Sequence, residues 1–89
     1  MPYIKEERRP YLKTNTLELA SLLKSMGHGV PENGDVVYVL YLLMKELYGY
    51  GNFNVKSDAL KVLECAKMEY YRRIMSFYED VKIKENGDV

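Results

Sequence analysis

Tyr70-Tyr71-Arg72-Arg73 is a stretch of this chain whose residue types together suit ligand chemistry. Aromatic faces stack on bases, and guanidinium forks grip phosphates. On a helix, neighbours point about 100° apart, so Tyr70 faces inward while Arg72 points away. Tyr71, Arg72 and Arg73 are then the candidate anion-binding residues. Glu69 competes with that use, because it stands three residues before Arg72 and four before Arg73, the two spacings at which helical side chains pair. A local ion-pair cluster is the structural alternative.

Glu79-Asp80 would sit near a helix C-terminus, where carboxylates oppose the macrodipole and need partners. Arg72, Arg73, Lys82, Arg8 and Arg9 are available, which makes a salt-bridge network the ordinary reading. The functional one is a divalent-cation site of the kind used by nucleotide pyrophosphatases. Glu32 and Asp35 have the right ExxD spacing for it, but no acidic partner helix accompanies them. No metal and no cofactor is expected. Cys65 has no sequence neighbour to activate it and reads as a structural thiol. His28 lacks further ligands at metal spacing and reads as a loop histidine at a helix C-terminus. The loop Gly49-Tyr50-Gly51-Asn52-Phe53-Asn54 matches neither phosphate-binding glycine pattern. No catalytic residue is assigned, and the chain reads as a non-enzyme.

What must position these residues is helical. Val36 to Tyr48 carries only Lys45 and Glu46 as charges and is apolar around almost its whole circumference. Such a helix needs cover on most sides, in the middle of a bundle or at a subunit interface. It falls short of the ~20 apolar residues that span a membrane, so no membrane is expected. Asp35 is the expected N-cap of this helix, and Gly49 its expected left-handed terminator. The first helix is predicted from about 16 to 26, with Asn15 and Glu18 as a capping box and Leu12, Leu19, Leu22, Leu23 and Met26 as its stripe. Gly27-His28-Gly29 ends it. Tyr50 and Phe53 are expected to anchor the following loop.

The last helix is predicted from about 55 to 81, capped by Asn54 or Ser57. Val55, Ala59, Val62, Leu63, Ala66, Tyr70, Ile74, Phe77 and Val81 form a stripe wide enough to cover the other two helices. Leu60, Met68, Tyr71, Met75 and Tyr78 lie on an adjacent face. Two apolar faces exceed what a three-helix core of this size can use. With Tyr41 on the central helix, that second set is the expected interface with another copy of the chain, most simply a dimer.

Composition agrees with this and narrows the alternatives. At 89 residues the chain reads as one domain, 1–89, with a modest stability margin that oligomerisation commonly remedies. Thirteen basic side chains balance thirteen acidic ones, so no global field draws it to nucleic acid or an anionic membrane. One cysteine excludes an internal disulfide, and the N-terminal residues lack the apolar run of a signal peptide, which points to the cytoplasm. Nine tyrosines against two phenylalanines suit an interface, since tyrosine joins an apolar ring to a polar tip. An ordered N-terminal leader, with Tyr3 and Ile4 docked on the body, and an ordered tail from Ile83 complete the expected mainly α bundle of three principal helices. Glu-Asn-Gly-Asp-Val occurs at 32–36 and again at 85–89, too short a repeat to mark a duplicated unit.

Several of these stretches carry a resemblance. Met1-Pro2-Tyr3-Ile4, Gly34-Asp35, Glu46-Leu47-Tyr48, Leu63 to Lys67, Tyr71-Arg72-Arg73, Tyr78-Glu79-Asp80 and Lys82 to Val89 together resemble a family of short uncharacterised prokaryotic and phage proteins. The resemblance implies a compact helical domain that stands alone. It transfers no activity. The expected function is therefore a non-enzymatic, self-associating interaction or structural module, with nucleotide or nucleic-acid binding at a subunit interface as the alternative.

Overall fold

The alternation of apolar stripes with Gly, Pro and Asn breaks fixes where the backbone can remain helical, and the breaks fall at 27–32 and 49–52. A computed structural model describes residues 4–87. A short 3₁₀ turn, Glu6–Arg8, leads into helix α1, Arg9–Met26; α2 is Asn33–Tyr48 and α3 is Phe53–Tyr70. Tyr71–Met75 is a π-helical turn, and α4, Ser76–Asn86, follows it without a break. With α3, the π turn and α4 running as one, the protein has the three principal helices expected, and no strand among the described residues. Tyr3, Asp88 and Val89, which figured in the leader and repeat readings, lie outside the described residues.

Helix α1 begins seven residues before the expected start. The residues read as a capping box lie inside it: Thr14 Oγ1 donates to the Pro10 carbonyl at 2.9 Å, Asn15 Nδ2 to that of Tyr11 at 2.8 Å, and Thr16 Oγ1 to that of Leu12 at 2.8 Å. Short polar side chains that can cap a helix can equally bond back to the preceding turn, and here they do. Pro10 sits in the first turn, where its missing N–H costs nothing, and Arg9 before it is nevertheless helical. Ile4 is exposed and is not docked.

The end of α1 is set by a Schellman arrangement. The His28 N–H donates to the Ser25 carbonyl at 3.2 Å and the Gly29 N–H to that of Lys24 at 2.7 Å. His28 occupies the left-handed position with φ 57°, where glycine is usual. Gly27 just before it has no room for a side chain, because a Cβ would collide with the Val30 carbonyl.

Asn33 and Gly34 are drawn into the first turn of α2, so Asp35 lies within that turn rather than at the cap, still beside the positive helix end. At the other end Gly49 continues the helical pattern, its N–H donating to the Lys45 carbonyl at 2.8 Å. The left-handed residue of this loop is Gly51, φ 114°, not Gly49. The cap of α3 is Asn52, whose Oδ1 accepts from the Val55 N–H at 3.1 Å. Asn54 and Ser57 fall inside the helix, where Ser57 Oγ donates to the Asn54 carbonyl at 3.0 Å.

Two units divide the chain by their contacts, one ending at Leu43 and the other starting at Met44. In the first, Ala20, Leu23, Gly27, Asp35, Val36 and Val39 are half-buried. A shallow groove of about 220 Å³ runs past Leu19, Leu22, Leu23, Met26, Asp35, Tyr38 and Val39, so the second half of the α1 stripe looks toward α2. In the second, the half-buried residues are Met44, Tyr48, Ser57, Ala59, Leu63, Glu69 and Ser76. No described residue of either unit is buried. The stripe expected to be covered by the other helices is open beyond Leu63, and the expected anchors Tyr50 and Phe53 are 70% and 81% exposed. Amphipathic periodicity identified the faces but carries no information on which chain covers them.

Replacing His28 by glycine relieves the left-handed strain and is expected to raise stability by about 1 kcal/mol, whereas His28→Val lowers it by a similar amount. Thermal melts at a single protein concentration read both changes.

Candidate functional site

The side chains singled out for chemistry lie along the π turn. In an α-helix each N–H meets the carbonyl four residues back; here the Ser76 N–H donates to the Tyr71 carbonyl, five residues back. The turn therefore holds one residue more than an α turn. An i,i+8 pair lies about 80° apart around an α-helix and about 20° apart once one extra residue is taken up. Tyr71 and Glu79 show the result: the Tyr71 hydroxyl donates to Glu79 Oε2 at 2.9 Å across two turns.

Glu69 organises the arginines as its spacing implies. Its Oε1 accepts from Arg72 Nε at 3.1 Å and Nη2 at 2.8 Å, and its Oε2 accepts from Arg73 Nε at 2.7 Å. One carboxylate thus takes a two-point contact from one guanidinium and also engages the next. Its side chain is only 24% exposed, against 62% and 60% for the arginines. The expected network around Glu79 and Asp80 differs: Glu79 is held by the Tyr71 phenol, and Lys82 pairs with Glu85 at 3.2 Å while standing 5.7 Å over the Tyr78 ring. The extra residue brings Glu79 into line with Tyr71, and Arg72 and Arg73 are both engaged by Glu69.

Beside this cluster runs an open groove of about 650 Å³ lined by Glu64, Lys67, Met68, Glu69, Tyr70, Tyr71, Arg72 and Met75. It brings together Met68, Tyr71 and Met75 of the expected interface with Tyr71 and Arg72 of the expected anion site; Leu60, Tyr78 and Arg73 do not line it. Its wall is mainly apolar, edged by charges of both signs, which suits a protein surface better than a phosphate. Leu60, Met68, Tyr71, Met75, Tyr78 and Tyr41 are all exposed. Cys65 is exposed too. No group of three or more His, Cys, Asp or Glu that could hold a metal occurs among the described residues. Nor is any helix among them long and apolar enough to cross a membrane.

The π turn and the Tyr71–Glu79 bond are the features that sequence reasoning missed. The run Tyr71-Arg72-Arg73-Ile74-Met75 contains neither glycine nor proline, so nothing in it announces a departure from α geometry.

The bond to Glu79, and then that carboxylate's charge, raise the Tyr71 phenol above its ordinary value of 10.0, with slight desolvation and Asp80 acting the same way. A group whose folded pKa is raised contributes stability that is fully present below its unfolded pKa and lost as pH rises through the folded one. The bond is intact below pH 10 and is lost only as pH rises through the raised folded-state pKa, where the tyrosinate that forms faces Glu79 and the contact becomes repulsive. Glu79→Gln is expected to bring the titration of Tyr71 back toward 10.0, followed through the ring carbons by NMR.

No curated protein and no solved structure matches the chain. One family does, over residues 1–89, under the description "Domain of unknown function (DUF6899)". Over its whole length, then, this chain belongs to that family.

Proposed function

We propose that the protein is a non-enzymatic module that assembles with copies of itself, using the apolar surface of α3, the π turn and α4. The observation that carries this reading is areal. Along α3, the π turn and α4, Leu60, Met68, Tyr71 and Tyr78 are all more than half exposed, whereas large apolar side chains are ordinarily among the more buried residues of a folded protein. Leu60, Met68, Tyr71, Met75 and Tyr78, with Tyr41 on α2, are the surface residues assigned to the contact. Methionine and tyrosine are types enriched at such surfaces, and full burial of each large apolar side chain is worth roughly 1.5 to 3 kcal/mol. A net charge of zero leaves no mean repulsion between copies.

The rival reading, an anion site at Tyr71, Arg72 and Arg73, is weakened by the geometry. A phosphate would have to displace the Glu69 carboxylate, which already engages both guanidinium groups.

Sedimentation equilibrium at micromolar concentration is expected to show an oligomer, and a Met68→Glu, Met75→Glu double variant is expected to weaken association at least tenfold while remaining helical. A wild type that is a cooperatively folded 10.4 kDa monomer overturns the proposal. A panel of nucleotides, with and without magnesium, is expected to leave the melting temperature unchanged. A ligand at 100 times its Kd would add about 2.7 kcal/mol, and such a shift would favour the anion site instead.

A further inference from the structure

Local propensity gives the π turn no reason for its extra residue. Tyr71-Arg72-Arg73-Ile74-Met75 holds no glycine or proline, and arginine and methionine are among the better α formers. The backbone on either side is ordinary α-helix, with φ and ψ of −61° and −46° at Tyr70 and of −61° and −42° at Ser76. Several side-chain contacts around the turn are indifferent to its register. Glu69 meets Arg72 and Arg73 at i,i+3 and i,i+4, spacings that an α turn serves equally well. Lys82 with Glu85 and the Tyr78 ring lies wholly within α4 and would rotate with it. The Tyr71–Glu79 bond is different. It joins, at 2.9 Å, side chains eight residues apart, which an unbroken α-helix holds about 80° from each other and the π turn brings within about 20°.

We infer that the Tyr71–Glu79 hydrogen bond is a latch on the π turn, and that α4 has a second register, reached when the bond is broken, in which the turn is ordinary α-helix. Release passes the Ser76 N–H from the Tyr71 carbonyl to that of Arg72, four residues back, and rotates α4 by about 100° relative to α3. Little packing opposes that rotation. Every residue of α4 after Ser76 is exposed, and the helix stops at Gly87, where φ is 82°. The latch decides which side chains follow Tyr71 along the helix. With the bond made, Glu79 and Ile83 lie within about 20° of its direction. With the bond broken, Tyr78 and Lys82 take those two places. A carboxylate and an aliphatic side chain are thereby exchanged for an aromatic ring and a cation. The latch is a property of the chain by itself and does not depend on the self-association proposed above.

NMR couplings through backbone hydrogen bonds read the register directly. In the wild type the Ser76 N–H is expected to couple to the Tyr71 carbonyl. Tyr71→Phe, which removes one oxygen and keeps the ring, and Glu79→Ala are each expected to lose that coupling and to gain one to the Arg72 carbonyl. In Tyr71→Phe the nuclear Overhauser contacts of the ring are expected to pass from Glu79 to Tyr78. Glu79→Gln still offers an accepting oxygen and is expected to keep the wild-type coupling. Circular dichroism checks that each variant remains helical, and the mildness of Tyr71→Phe preserves the test should Glu79→Ala fail to fold. Retention of the wild-type coupling in Tyr71→Phe overturns the latch, as does a Glu79→Gln variant that behaves like Glu79→Ala. A wild type whose Ser76 N–H couples to the Arg72 carbonyl overturns it as well.

Discussion

Backbone hydrogen bonding carries this structure, because within the chain no side chain among the described residues is buried deeply enough to carry it instead. Each helix leaves four N–H and four C=O groups unmatched at its ends, and the connections are shaped by meeting them. Lys24 and Ser25 receive the N–H groups of Gly29 and His28, Asn52 takes that of Val55, and Glu32 takes that of Val36. The loops follow from these closures: His28 is left-handed because the Schellman pattern requires it there, and Gly27 is bare because the Val30 carbonyl occupies the space of its side chain.

Local bonding of this kind also explains which parts of the fold were legible in the sequence. The central helix could be read because it is long, apolar and flanked by breakers, and the pairing of Glu69 with Arg72 and Arg73 because it depends on spacing alone. The start of α1 could not, since Thr14, Asn15 and Thr16 can serve equally as caps or as donors to the preceding turn. Choosing Asn54 or Ser57 over Asn52 has the same cause: several polar residues near a helix start compete for one role.

The candidate site was legible in its members and not in its arrangement. Tyr71, Arg72 and Arg73 were recognisable as ligand chemistry, yet what they do in the fold is settled by two carboxylates. Glu69 gathers the arginines and Glu79 holds the phenol, so each polar tip faces an acid of its own helix. This leaves the apolar sides of Tyr70, Tyr71 and Met75 along the groove as the part of the site still open to a partner.

The π turn bears on how this chain can vary in evolution. A turn that already holds one residue too many can lose it and become ordinary α-helix, with everything on either side keeping its angular position. Length variation between relatives in the segment from Tyr71 to Met75 would then be neutral for the faces of the long helix, whereas the same one-residue change anywhere else between Phe53 and Asn86 would shift one end against the other. Alignments of this family should therefore tolerate a single gap there, and a gap placed elsewhere in the helix marks either a misalignment or a second bulge.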